Sequence, residues 1–126
     1  MKRDMDLVRE ILLAIEADQH VLLTRKHTQL PIAGKPPAEV TAHLVLMDEA
    51  GLIKGLPVTP PGGVMAQEYY VYRLTWSGSE FLDTARDPNR WKETVSTVLG
   101  KVGGLSFEIV KAFLIAEGKR HLGLPS

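Results

Sequence analysis

Four histidines, His20, His27, His43 and His121, have the most chemistry to offer in this chain of 126 residues. No two of them sit at i,i+4 on a helical pattern and no carboxylate-rich ligand spacing accompanies them, so no metal is expected. The chain has no cysteine, which excludes disulfides and thiolate ligands and agrees with a reducing compartment. His43 stands beside an apolar stripe, where a neutral imidazole bonds a backbone carbonyl more often than it titrates. Ser77-Gly78-Ser79 lacks the Gly-x-Ser-x-Gly spacing of a nucleophile elbow. Gly62-Gly63 and Gly103-Gly104 lack the Lys-Ser/Thr that completes a phosphate loop. Nothing marks the acidic pairs Asp48/Glu49 and Glu80/Asp83 as buried acids. We therefore expect no catalytic residue, no cofactor and no enzyme.

The cations offer a second kind of chemistry. Arg25, Lys26, His27 and Lys35 lie in a stretch without an acidic residue, and with Lys54 and Arg73 they make a candidate phosphate-binding set. Against this, 15 basic and 15 acidic residues give a net charge of zero, and no basic run reaches tract length. Solvated loop charges are the preferred interpretation. Tyr69, Tyr70 and Tyr72 read in the same way: a base-stacking platform is conceivable. The preferred assignment packs Tyr70 and Tyr72 inward and leaves Tyr69 as cover. Trp76 and Trp91 are expected to be packing residues, because their large apolar area favours burial.

These residues need elements to position them. Apolar residues at 44% and charged residues at 24% are ordinary globular values, and the length suits one domain, 1–126, able to bury roughly two-thirds of its unfolded surface. Asp4 or Asp6 can cap a first helix whose stripe is Val8, Ile11, Leu12 and Ile15. Residues 20–23 and 29–32 have the composition of edge strands. Pro37 opens a helix that runs to about Ala50, with Gly51 as its left-handed terminator. Leu52 to Val58 and Gln67 to Leu74 then read as a hairpin around the turn Thr59-Pro60-Pro61-Gly62-Gly63. Thr75 caps a helix holding Phe81 and Leu82, and Asp87-Pro88 opens another bearing Trp91, Val95, Val98 and Val102. Gly103-Gly104 breaks that helix before a last one at about 106–121. The expected class is α+β, mostly α: a winged-helix-like body (4–86) with a small antiparallel β-hairpin wing, carrying a C-terminal helical hairpin (88–121).

In a winged-helix frame, the helix 37–50 would be the one that reads the major groove. Its composition argues against that role. Val40, Leu44 and Met47 make the core stripe, yet the opposite side holds Ala38, Ala42, Val45 and Leu46, and the helix has no Lys or Arg. A helix apolar on both sides is normally buried on both sides. Residues 19–35 also leave little room for the helix that normally precedes it. Val45, Leu46, Ile115 and Leu122 are accordingly candidates for a protein interface.

Several blocks carry a family resemblance. The opening Met1-Lys2-Arg3-Asp4-Met5-Asp6-Leu7, the segment His43 to Ile53, the run Arg73-Leu74-Thr75-Trp76-Ser77-Gly78-Ser79-Glu80-Phe81-Leu82-Asp83 and the segment Arg86 to Lys92 resemble an uncharacterised family of short bacterial and phage proteins, a domain of unknown function. Ser79 departs from its pattern, where histidine is more usual. The resemblance implies a winged-helix-like fold and a prophage or mobile-element origin, and it brings no catalytic residues with it.

The expected function is that of a non-catalytic binding or regulatory protein acting through protein–protein contacts, as a homodimer or with a host partner. The alternative is a DNA-binding transcriptional regulator using Arg25, Lys26, Lys35, Lys54 and Arg73. The acidic turn after Lys2-Arg3 is unlike a signal peptide, and no apolar run matches a bilayer. A cytoplasmic location without membrane contact is expected.

Overall fold

Asp4 begins the fold. Its Oδ1 accepts the Leu7 amide at 3.1 Å, which satisfies one of the unpaired donors at the start of helix α1, Met5–Ala17. The computed structural model describes residues 2–17, 25–26, 30 and 32–102, with backbone alone for 25–26 and 98–102. One face of α1 buries Met5, Leu7, Val8, Ile11, Leu12 and Ile15, the predicted stripe widened by Met5 and Leu7.

A short strand, β1 (Arg25–Lys26), is followed by helix α2 (Pro37–Glu49), the hairpin strands β2 (Ile53–Val58) and β3 (Glu68–Leu74), helix α3 (Trp76–Ala85) and helix α4 (Pro88–Val102). This is an α+β architecture, mostly helical, with an antiparallel hairpin. β1 falls on the cations that were expected to lie between two strands. Of those two, 20–23 lies outside the described residues, and Leu30 and Ile32 belong to no strand. α2 ends as Gly51 takes φ +78, where a side chain would be strained.

The sheet order is β1-β3-β2, both pairings antiparallel. β2 is therefore an edge strand, the place where Pro57 can sit without removing a ladder hydrogen bond. Lys54 pairs with Arg73 but Gly55 pairs with Val71, so Tyr72 is an extra residue without a partner on β2: a β-bulge. Below the bulge Tyr69 and Val71 face the core; above it Leu74 does, opposite buried Ile53. Strict alternation had placed Tyr70 and Tyr72 inward and Tyr69 outward. Tyr69 is instead completely buried, and Tyr72 is 45% exposed.

The described chain forms two compact units, Met1–Ser79 and Glu80–Ser126, divided inside α3. In the first unit, α1 packs on α2 and β3, and α2 packs on both hairpin strands. Thr75 caps α3 as expected: its Oγ1 accepts the Gly78 amide at 3.0 Å and donates to the Gly51 carbonyl. Two glycines permit the closest approaches. A Cβ on Gly78 would lie 2.0 Å from the Leu52 carbonyl oxygen, and one on Gly55 would lie 2.3 Å from the Tyr69 ring.

In the second unit, Asp87 Oδ1 accepts the Asn89 and Arg90 amides at 2.9 and 3.2 Å, so Asp87-Pro88 is the N-cap and first residue of α4. Phe81 meets Trp91 edge-to-face, with centroids 6.1 Å apart and planes at 84°. Thr94 is buried with its hydroxyl donated to the Arg90 carbonyl at 2.8 Å. Trp91 is a packing residue as expected. Trp76 is not: at the first position of α3 it is 80% exposed, while Gly78 takes the buried position of that turn. The expected last helix at 106–121 lies outside the described residues.

Replacing Gly78 by alanine drives a methyl group into backbone that cannot step aside. Gly78→Ala is expected to cost about 2–3 kcal/mol in urea denaturation, against a change within about 0.5 kcal/mol for Ser79→Ala. Equal midpoints for the two variants would show that α3 does not approach Leu52 as described.

Candidate functional site

α2 and the hairpin tip enclose a concavity in the first unit. Val40, Leu44 and Met47 point α2 into the core, which turns Ala38, Ala42, Val45 and Leu46 the other way. Ala42, Val45 and Leu46 are half-buried. They are neither enclosed, as an all-round apolar helix led us to expect, nor open to bulk water. They line a cavity of about 1000 Å³ whose other wall is Val64, Met65, Ala66 and Gln67 of the hairpin tip, with Arg3 at its margin.

Val64 is 95% exposed and Met65 71%. Neither was singled out beforehand, although two large apolar residues inside a Pro/Gly turn are a signal: a turn that has no core to face still carries oily side chains. The interface candidates Val45 and Leu46 are thus brought together with the tip. Ile115 and Leu122 lie outside the described residues.

The cations do not converge. Lys35 Nζ lies 3.0 Å from Asp4 Oδ2 and 3.9 Å from Glu39 Oε1, so its charge is already matched. Arg25 and Lys26 stand opposite Val71 and Tyr70 on the β1 edge. Lys54 and Arg73 are exposed and directly paired across β2 and β3; the Arg73 guanidinium donates to the Leu74 carbonyl at 3.0 Å.

His43 is completely buried and is a structural junction. Its Nε2 accepts the Asp4 amide at 2.9 Å, so Nδ1 carries the proton and donates to the Glu39 carbonyl at 2.8 Å. One imidazole thereby joins the start of α1 to the middle of α2. His20, His27 and His121 lie outside the described residues. Among the described residues, no group of three or more metal-ligating side chains assembles, and no helix is long and apolar enough to cross a membrane.

Three groups titrate away from their ordinary values for reasons tied to the fold. One of them, the Lys35 ammonium, is raised by its hydrogen bond to Asp4. Partial burial would raise the Asp4 carboxyl, but the Lys35 ammonium and the Leu7 and Asp6 amides outweigh it and hold it below 3.8. Burial, and then the Asp48 carboxylate 2.8 Å away, push the Tyr69 phenol above its usual range, so it stays a donor at any physiological pH. Neither arrangement supplies a nucleophile or a general base facing open space.

Because folding lowers the Asp4 pKa, its contribution to stability is complete above 3.8 and is lost as pH falls through the lower folded value. Asp4→Asn keeps a capping oxygen but loses the ion pair, so its acid limb of stability against pH should be shallower than that of the parent. Asp4→Ala should lose about 1 kcal/mol more at neutral pH, because the cap goes too. Urea midpoints from pH 2 to 7 measure both; an unchanged acid limb in Asp4→Asn would refute the assignment.

Comparison with known proteins places the chain in a group. Residues 2–104 match the family described as "Hypothetical protein (DUF2513)". An "Uncharacterized protein" of Haemophilus influenzae (strain Rd) is 30% identical over 113 residues, covering 88% of this chain and 90% of the relative. No solved structure matches. The match spans most of the chain, including the α2 and hairpin segments that build the cleft, and the chain belongs to this DUF2513 family.

Proposed function

We infer that this protein is a non-catalytic, winged-helix-like binding or regulatory protein that works in the cytoplasm through protein–protein contacts. The observation that carries this is the cleft between α2 and the hairpin tip. Its walls are Ala38, Ala42, Val45, Leu46, Val64 and Met65, apolar groups left accessible on a chain that has buried a separate core. Covering such surface is favourable at roughly 25 cal/mol per Å², and a groove of this size accepts the apolar face of a helix from a partner. That partner is a second copy of the chain or a host protein.

The element order helix–strand–helix–hairpin–helix, with β3 between β1 and β2, supports the winged-helix comparison. In that frame α2 occupies the recognition position and the β2–β3 hairpin is the wing. α2 brings no Lys or Arg there, and neither does the tip from Thr59 to Ala66. Duplex reading by a transcriptional regulator, the alternative, therefore draws little from α2, and Lys35 is already paired with Asp4. The resemblance to short bacterial and phage proteins supports a prophage or mobile-element origin.

Leu46→Asp and Met65→Asp place charge on opposite walls of the cleft. Each is expected to weaken association tenfold or more, read as dimer dissociation in sedimentation equilibrium or as loss of a partner captured from host lysate. Circular dichroism should be unchanged. Wild-type protein that remains a monomer at about 100 µM and captures nothing beyond what the double variant captures would sink the proposal.

A further inference from the structure

The outer face of the hairpin sheet presents a different surface. Lys54 and Arg73 are cross-strand partners, so two positive charges sit directly opposite each other, an arrangement that costs stability. Neither forms an ion pair among the described residues. One register step away Leu56, half-exposed, is paired with Tyr70. Between Tyr70 and Arg73 the bulge turns out Tyr72, which strict alternation could not have combined with an inward Val71 and an inward Leu74. Lys26 occupies the register position opposite Tyr70 on the other edge of the sheet. The face thus interleaves cations with accessible aromatic and apolar groups.

We propose that this face binds single-stranded nucleic acid, with Lys54 and Arg73 on consecutive phosphates and a base stacked on the Tyr72 ring. Phosphate supplies the charge that the Lys54–Arg73 pair lacks. An exposed ring beside that pair favours an unpaired base over a duplex, whose bases are already stacked. The β-bulge is what allows both kinds of group to share one small surface. This surface differs from the apolar cleft and does not depend on it.

Fluorescence anisotropy with a labelled twelve-residue oligothymidylate, at salt from 25 to 200 mM, tests the proposal. Wild type should bind with a salt-sensitive Kd. Tyr72→Ala should weaken binding about fivefold to a hundredfold, and Tyr72→Phe should retain most of it. Lys54→Gln and Arg73→Gln should each lower the log–log salt slope by about 0.7. Met65→Asp, in the cleft, should leave oligonucleotide binding within twofold, which separates failure here from failure of the proposed protein contacts. All four altered positions are exposed, and thermal melts confirm that each variant folds. Absence of binding at 25 mM salt, a duplex bound as tightly as the single strand, or a Tyr72→Ala variant that binds normally while polyphosphate competes fully would each overturn it.

Discussion

The pairing of β3 with β2 is the constraint on which most of the first unit rests. Tyr69 and Val71 must face inward to meet α1 and α2, and Leu74 must face inward opposite Ile53. Residues 71 and 74 differ by an odd number of positions, so an unbroken strand would send them to opposite faces. The extra residue at Tyr72 resolves the conflict by resetting the alternation. Gly55 belongs to the same solution, since a methyl group there would meet the Tyr69 ring. Once Tyr69 is inside, its hydroxyl needs a partner, and Asp48 at the end of α2 supplies one at 2.8 Å. A single insertion thus shapes the core, ties α2 to the sheet and decides which aromatic ring meets solvent.

A second tie holds the first half of α2. Asp4 caps α1 with one carboxylate oxygen, meets Lys35 with the other, and gives its amide to His43. Two of the blocks that carry the family resemblance, Met1–Leu7 and His43–Ile53, therefore touch through one imidazole. Each polar group in this knot has a partner, which is what makes its burial tolerable. The hydroxyl of buried Thr41 follows the same rule, bonding the Pro37 carbonyl at 3.0 Å. With α2 held at these two places, the direction in which Ala42, Val45 and Leu46 face is fixed, and with it one wall of the cleft.

The two surfaces proposed for binding have opposite chemistry and arise from the same hairpin. Its tip carries Val64 and Met65 toward α2, while its paired strands carry Lys54, Arg73 and Tyr72 on the outer face. A protein segment and a single-stranded nucleic acid would thus be held by one short piece of chain. Lys35, by contrast, is diverted from any ligand by Asp4 and Glu39, and shows why a cation in sequence is not a cation in a site.

Helix positions and caps were legible because their signals are local. Asp4, Pro37, Gly51, Thr75 and Asp87-Pro88 act within one helical turn, where amide satisfaction and backbone conformation leave few alternatives. The greasy second side of α2 was equally visible, as was its lack of Lys and Arg. What covered that side was not, because the answer lies in residues about twenty positions away at the hairpin tip. Alternation misassigned Tyr69 and Tyr72, since a bulge leaves no mark in the pattern it interrupts. Trp76 was misread through its size alone: apolar area favours burial, but the helix start at Thr75 aims it outward. The amino-acid order by itself determined helices α1 to α4, the hairpin and the family, all set by interactions between near neighbours. Tertiary structure alone decided which side chains face water, which cations remain unmatched and where a cleft opens, because those depend on register and packing between segments far apart in the chain.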